Sequence, residues 1–188
     1  MRIIAGEYRS RSLRAPKGEK TRPTSDRARE TAFNILTNLI SLEGTSVLDL
    51  FAGSGAFGFE ALSRGAARIT CVDNSKEAIL AMELNVASLG VTERVKIIRQ
   101  DVYRWIPQAV DSYNVIFADP PYDDNRLPSE LLLLLFSSRL LTPDSIVIIE
   151  HRTGSRLELP PNAVLIKERS AGEANFTFLR TSGSETSS

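Results

Sequence analysis

Apolar and polar positions change their period near residue 46, and from there short apolar runs alternate with segments of helical spacing. Seven of the runs predict β-strands: Ser46 to Leu50, Ile69 to Asp73, Val95 to Ile98, Tyr113 to Asp119, Ser145 to Glu150, Val164 to Ile166 and Phe176 to Leu179. Helices are predicted between them, for example over Lys76 to Leu89 and Leu127 to Leu135. The alternation predicts an α/β fold, a doubly wound, mostly parallel seven-stranded sheet with helices on both faces.

The first 40 residues precede this alternation and predict a basic N-terminal extension, a small β-hairpin and a helix packed on the main domain. Ile3, Ile4 and Leu13 are the expected apolar anchors of the hairpin. The helix is expected to begin after Thr24 or Ser25 as the N-cap residue. Its buried face is predicted by helical spacing: Ala28, Ala32, Ile35, Leu36 and Leu39. Residues 41–181 form the predicted main domain, and the Ser/Thr-rich residues 182–188 predict a disordered tail.

The composition is typical of a globular protein, with 42% hydrophobic and 24% charged residues. One cysteine, Cys71, excludes an internal disulfide, and together with the one histidine, His151, it argues against the common metal sites, so no metal is expected. No apolar run approaches the ~20 residues of a membrane span. The N-terminus also lacks the layout of a signal peptide, so the expected location is the cytoplasm.

The net charge of zero hides an uneven distribution along the chain. Residues 1–29 carry nine basic side chains against three acidic ones, so this part has a charge of +6 and the remainder has −6. A basic arm on an acidic body predicts a polyanionic partner at one end of the protein. The alternative is that these charges only make a solvated terminal surface.

A glycine-rich turn follows the first predicted strand. Gly53, Gly55 and Gly58 have the G-x-G-x-x-G spacing, and Asp73 lies twenty residues beyond Gly53, at the end of the second strand. This arrangement predicts a backbone loop that contacts a nucleoside ligand and an acid that accepts hydrogen bonds from its ribose hydroxyls. The spacing alone suits a nicotinamide dinucleotide and S-adenosylmethionine equally.

Asp49, just before the glycine-rich turn, favours S-adenosylmethionine. Its carboxylate suits the ammonium group of the methionine part of that cofactor, and it would repel a pyrophosphate. Asp101 and Val102, after the third strand, offer an acceptor for the adenine amine and an apolar side chain beside the ring, although Asp101 also suits an ordinary helix N-cap. The predicted cofactor-binding residues are Asp49, Phe51, Ala52, Gly53, Ser54, Gly55, Asp73, Asn74, Asp101 and Val102.

The sequence Asp119-Pro120-Pro121-Tyr122 stands at the end of the fourth strand. Two prolines remove two amide donors, so the loop presents acceptors, namely the Asp119 carboxylate and the Pro120 carbonyl. An aromatic amine needs such acceptors, because its lone pair is delocalised and positive charge develops on its nitrogen during methyl transfer. Tyr122 supplies a face on which a base can stack. The predicted catalytic residues are therefore Asp119, Pro120 and Tyr122.

The chain resembles the RsmD family of small-subunit ribosomal RNA guanine-N2 methyltransferases over nearly its whole length. The segments that carry the resemblance are Arg2 to Gly6, Thr21 to Thr31, Asp49 to Leu62 and Asp119 to Tyr122, and the Arg-Pro-Thr-x-Asp-Arg-x-Arg-Glu signature is the most specific. The resemblance implies a class I, Rossmann-like S-adenosylmethionine-dependent fold. It also implies a bacterial cytoplasmic enzyme that forms N2-methylguanosine in the 16S rRNA of the small ribosomal subunit.

The basic arm is then expected to bind phosphates of that RNA through Arg9, Arg11, Arg22, Arg27 and Arg29. A surface ion pair between Arg27 and Glu30 is the alternative for Arg27. Nothing in the sequence requires more than a monomer.

Other functions remain open from the sequence. DNA adenine-N6 methyltransferases use the same loop, but usually with a separate target-recognition region. Protein glutamine methylation usually places Asn at the position of Asp119. A nicotinamide-dependent oxidoreductase and a non-catalytic RNA-binding module are the alternatives from other classes.

Overall fold

The computed structural model of the protein describes residues 1–17, 25–121, 128–155 and 157–183. The helices in these ranges are α1 (Asp26–Leu39), α2 (Ala56–Ser63), α3 (Lys76–Leu89), α4 (Val102–Trp105) and α5 (Pro128–Phe136). The strands are β1 (Ser46–Leu50), β2 (Arg68–Asp73), β3 (Val95–Arg99), β4 (Tyr113–Ala118), β5 (Leu141–Arg152), β6 (Ala163–Ala171) and β7 (Ala174–Thr181). The predictions for Arg22, Thr24 and Tyr122, and for most of the predicted tail, lie outside the described residues.

The strands form one seven-stranded sheet in the order β3-β2-β1-β4-β5-β7-β6. Strands β1 to β5 run parallel to one another. Strand β7 is antiparallel to both of its neighbours, β5 and β6. The predicted α/β fold with a mostly parallel seven-stranded sheet is therefore confirmed. Leu50 of β1 is level with Val72 of β2 and Ala118 of β4, so the carboxyl ends of these strands meet at one edge.

Helices cover both faces of the sheet. On one face α1, α2 and α3 pack on the strands, and the rings of Phe57 and Phe117 stack with centroids 3.8 Å apart. On the other face α4 and α5 pack on the strands, and Trp105 and Phe136 are buried there. Burying each large apolar side chain contributes about 1.5–3 kcal/mol, so the two layers hold the sheet between them.

Helix α1 differs from its prediction in the residues that it buries. Ser25 is the N-cap residue, and its hydroxyl accepts a hydrogen bond from the Ala28 amide. Phe33 is fully buried, whereas Leu39 is exposed and Ile40 is half-buried. The prediction for Leu39 is wrong because the buried stripe of α1 ends at Leu36, and Leu39 is the last helical residue before the extended Ile40.

The N-terminal arm, residues 1–17, lies directly on α2. Ile3 and Leu13 are buried as predicted, whereas Ile4 is only half-buried. The hairpin is reduced to one antiparallel bridge between Arg2 and Ser12. Gly6 has φ of +82°, and a Cβ at this position would lie 1.7 Å from the carbonyl oxygen of Ser63. Only glycine permits this close approach of the arm to the helix.

The described residues show neither a membrane-spanning helix nor a metal centre. None of their helices is both long enough and apolar enough to cross a bilayer. The same residues contain no group of three or more His, Cys, Asp or Glu side chains positioned to hold a metal ion.

Candidate active site

Asp49 lies beneath the glycine-rich turn and is only 1% exposed. Its Oδ2 accepts a hydrogen bond from the Gly58 amide at 3.0 Å. Burial raises the pKa of Asp49 to about 8, the charge of Asp73 adds to this effect, and the Gly58 bond and Arg29 oppose it. Asp49 is thus a buried carboxyl that forms no ion pair with any of the described residues.

The turn itself has an unusual backbone between β1 and α2. Phe51, Gly53 and Gly55 all have positive φ, at 57°, 53° and 74°. The Gly55 amide donates to the Ala52 carbonyl at 2.7 Å, which closes the turn. A positive φ costs a non-glycine residue about 1–3 kcal/mol, so the surrounding structure holds Phe51 in a strained conformation. Strain of this kind is common where a backbone is shaped around a ligand.

Asp73 fixes this turn relative to the next helix. Its Oδ2 accepts from the Gly53 amide and its Oδ1 accepts from the Ser75 amide, both at 2.8 Å. An ionised carboxylate offers about four acceptor positions, so each oxygen can still accept one ribose hydroxyl. The structure therefore gives Asp73 a role in shaping the loop that the sequence did not predict, and leaves the predicted ribose contact available.

The turn after β3 agrees with the predicted helix N-cap at Asp101 but not with the prediction for Val102. Asp101 is the N-cap residue of α4 and accepts from the Arg104 amide at 3.0 Å. The exposed Asn74 lies across from it at the end of β2. Val102, however, is only 2% exposed and packs among the core residues of α4 and α5. The prediction that its side chain lies against an adenine ring is wrong, because no surface of it remains to contact one.

An aromatic pair that the sequence did not predict stands at this edge. The rings of Phe51 and Tyr103 meet edge to face, with centroids 6.0 Å apart and an angle of 66° between them. Both side chains are half-buried, so they present apolar surface beside the strand ends. The sequence feature that could have indicated this pair is Tyr103, an aromatic residue two positions after Asp101.

Asp119 lies next to the glycine-rich turn. Its amide donates to the Leu50 carbonyl at 3.4 Å, and Ala118 is level with Leu50 in the sheet. Asp119 is half-buried and Pro120 is buried. The predicted acceptors are therefore anchored to the end of β1, beside Phe51. The third predicted catalytic residue, Tyr122, lies outside the described residues.

The predicted RNA-binding arginines fall into two groups. Arg9, Arg11 and Arg27 are exposed, whereas Arg29 is only 1% exposed. Arg29 Nη2 donates to the Arg2 carbonyl and to Asp26 Oδ1. The prediction that Arg29 binds RNA phosphates is wrong, because helical spacing places it on the buried stripe of α1, beneath the N-terminal arm.

Comparison with known proteins shows the family. A family model described as "Conserved hypothetical protein 95" matches residues 1–180. The small-subunit methyltransferase D of Haemophilus influenzae is 35% identical over 179 residues, covering 94% of this chain and 91% of that protein. The chain belongs to the RsmD family. The family member of Escherichia coli is 33% identical over 177 residues, covering 94% of this chain and 87% of its own.

Solved structures agree with this membership. A methyltransferase structure from Escherichia coli superposes with a TM-score of 0.83 at 31% identity, covering 96% of this chain and 97% of that one. A Thermus structure superposes with a TM-score of 0.82 at 27% identity, covering 96% and 99%. The RsmD-family fold therefore extends over almost the entire chain, including the N-terminal arm.

Proposed function

We propose that the protein transfers a methyl group from S-adenosylmethionine to the N2 amine of a guanine in the 16S rRNA of the small ribosomal subunit. The observation that carries this proposal is the position of Asp119, which follows β4 and whose amide donates to the carbonyl of Leu50, the residue directly before the glycine-rich turn. Relatives named ribosomal RNA small subunit methyltransferase D support the same substrate. These names favour ribosomal RNA over the DNA adenine alternative.

The residues around the turn fit the proposed cofactor. Asp49 is a buried carboxyl without a close counterion, which is what an ammonium group would supply. Asp73 keeps acceptor positions for ribose hydroxyls, Asp101 offers a carboxylate, and the Phe51 ring offers an apolar surface. The proposed cofactor set also includes the backbone of Ala52, Gly53, Ser54 and Gly55, and the neighbouring Asn74. When bound, S-adenosylmethionine supplies an electrophilic methyl group on a sulfonium.

The proposed chemistry relies on positioning more than on a strong base. The Asp119 carboxylate and the Pro120 carbonyl accept the two hydrogens of the guanine N2 amine and orient its lone pair towards the methyl group. As the new nitrogen–carbon bond forms and the sulfur–carbon bond breaks, positive charge develops on nitrogen and Asp119 stabilises it. The surplus proton then leaves nitrogen for Asp119 or for water. Tyr122 is proposed to stack on the guanine, which must be unpaired or flipped out.

RNA binding is assigned to exposed cations of the N-terminal arm and of the start of α1. We propose that Arg9, Arg11 and Arg27 contact phosphates, together with Arg22. Such contacts release counterions, so affinity should fall steeply as salt concentration rises. Because its substrate is ribosomal RNA, the enzyme is proposed to act in the cytoplasm, as a monomer.

The raised pKa of Asp49 predicts that cofactor binding depends on pH. Below about pH 8 the carboxyl holds its proton, whereas an ammonium partner favours the carboxylate, so binding should release one proton. The affinity for S-adenosylmethionine is expected to rise between about pH 6 and about 8, by up to tenfold per pH unit. Calorimetric titration in buffers of different ionisation enthalpy measures both the affinity and the released proton.

Asp49→Asn is the matched control for this effect. The amide has the same size but does not titrate, so the variant should bind S-adenosylmethionine more weakly at about pH 8 and release no proton. An unchanged pH profile in Asp49→Asn would assign the titration to another group.

The proposed function is tested with labelled S-adenosylmethionine and three substrates: small ribosomal subunits lacking the modification, naked 16S rRNA, and duplex DNA. The nucleic acids are digested to nucleosides and analysed by mass. Formation of N2-methylguanosine with RNA or subunits alone is the expected result. Label in DNA adenine, or cofactor binding without transfer to any RNA, would overturn the proposed substrate.

A further inference from the structure

One buried side chain joins the N-terminal arm to the glycine-rich turn. Asn85 lies on α3 and is only 1% exposed. Its Oδ1 accepts from the Arg14 amide at 2.8 Å, and its Nδ2 donates to the Arg14 carbonyl at 3.1 Å and to the Ser54 carbonyl at 3.0 Å. The carboxamide of Asn85 thus binds two distant segments of the chain: Arg14, 71 residues away, and Ser54, 31 residues away.

On one side Asn85 holds the glycine-rich turn. Ser54 is the central residue between Gly53 and Gly55, and its carbonyl is the atom that Asn85 binds. Ser54 also contacts the arm directly, since its hydroxyl lies 3.2 Å from the sulfur of Met1. The arm and the turn are therefore joined by one direct contact, from Ser54 to Met1, and by one link through Asn85.

On the other side Asn85 holds a segment that carries exposed cations. Arg9, Arg11 and Arg14 are exposed in the arm, and Arg11 Nη2 donates to the Ser88 carbonyl at the end of α3. The backbone of Arg14 is bound to Asn85 by both its amide and its carbonyl, as in a strand pair. A shift of the arm on α3 therefore strains the bond from Asn85 to Ser54.

We propose that Asn85 is a positioning residue that couples RNA binding by the arm to cofactor binding by the glycine-rich turn. The proposal rests on the proposed function, because it takes the arm as an RNA contact and the turn as the cofactor site. A bound cofactor holds Ser54, and through Asn85 it holds the arm in the position that RNA recognises. Coupling of this kind is reciprocal, so bound RNA must raise the affinity for the cofactor by the same factor.

The test measures the affinity for S-adenosylhomocysteine, which permits no reaction, with and without saturating 16S rRNA. In the unaltered protein RNA is expected to raise this affinity at least about fivefold. In Asn85→Ala the factor is expected to fall to within about twofold of one, because both bonds to the arm and the bond to the turn are removed and only the weak contact of Ser54 with the Met1 sulfur remains. Asn162→Ala is the matched control, since Asn162 also donates to a distant carbonyl, that of Phe136, and should keep the coupling.

Amide hydrogen exchange tests the same link without a substitution. S-adenosylhomocysteine should slow exchange of the Arg14 amide at least about fivefold, although Arg14 belongs to the arm and not to the turn. The Thr153 amide, which donates to the Glu173 carbonyl, serves as the remote control and should not change. This measurement decides the matter if Asn85→Ala does not fold.

The outcomes separate the two proposals. Independent binding of both ligands by the unaltered protein, or coupling that Asn85→Ala retains, would overturn the role of Asn85 and leave the proposed function intact. Failure of the unaltered protein to bind S-adenosylhomocysteine, or to bind 16S rRNA both naked and within the small subunit, would overturn the proposed function, and the coupling with it. Loss of coupling in Asn85→Ala alone, with slower Arg14 exchange, supports the proposal.

Discussion

Asp119→Ala is expected to reduce the rate of methyl transfer about 100- to 1,000-fold. The side chain is half-buried at the end of β4, and its backbone amide is bonded to Leu50, so it is held in place before any substrate arrives. Removing it takes away one of the two proposed acceptors for the amine and the negative charge that stabilises the developing cation. Single-turnover rates with saturating cofactor and RNA measure this loss.

The affinity for S-adenosylhomocysteine distinguishes this role from a structural one. It should stay within about twofold of the unaltered protein, because the proposed cofactor contacts lie on β1, β2 and the turn after β3. Asp119→Asn keeps an acceptor oxygen but loses the charge, so its rate should fall less than that of Asp119→Ala. Equal losses of rate and of cofactor affinity in Asp119→Ala would contradict the assigned role.

The strands were predictable because their apolar runs are local signals, but their ends were not. The run from Ser145 to Glu150 marked the buried part of β5, whereas the strand extends from Leu141 to Arg152. The additional residues are strand only because they pair with neighbours, Leu141 with Tyr113 and Arg152 with Ala174. Pairing of this kind depends on distant parts of the chain, which a local pattern does not contain.

The candidate site was predictable where a motif stands at a strand end. The glycine-rich turn and Asp119 lie at the same edge of the sheet, as expected for parallel strands. What a carboxylate or apolar side chain does at that edge depends on its partners. Asp73 also holds the turn through Gly53, and Val102 faces the core instead of the edge. These differences arise from the three-dimensional surroundings of each side chain.

Two buried charged residues, Arg29 and Glu60, show that a charged side chain is not always exposed. Arg29 was predicted to bind RNA because it lies in a basic segment, although its spacing from Phe33 and Leu36 matches the buried stripe of α1. Glu60 stands within an apolar run of α2, a pattern that indicates a buried and paired carboxylate. Giving periodicity precedence over charge would have predicted the burial of both residues, but not that they meet.

Glu60→Gln is expected to reduce the free energy of unfolding by about 3–5 kcal/mol. Glu60 is fully buried, and its two oxygens accept from the amides of Ile4 and Ala5 and from Arg64 Nε, at 2.7 to 3.1 Å. Glutamine has the same size, but its amino group would face a donor on whichever side it occupies. It also removes the charge 3.9 Å from Arg29 Nε.

The expected loss is large because the guanidinium of Arg29 would stay buried. Among the residues that the structure describes, its Nε and Nη1 have no hydrogen-bond partner, so the nearby charge of Glu60 is a main compensation for its burial. Urea unfolding measures the change, with Asp111→Asn as the control. Asp111 pairs with Lys96 at the surface, where both side chains are more than half exposed, so that variant should lose less than about 1 kcal/mol. Similar losses in both variants would mean that the buried Glu60 contributes no more than a surface charge does, and that other contacts, such as the bonds between Asn85 and Arg14, hold the N-terminal arm in place.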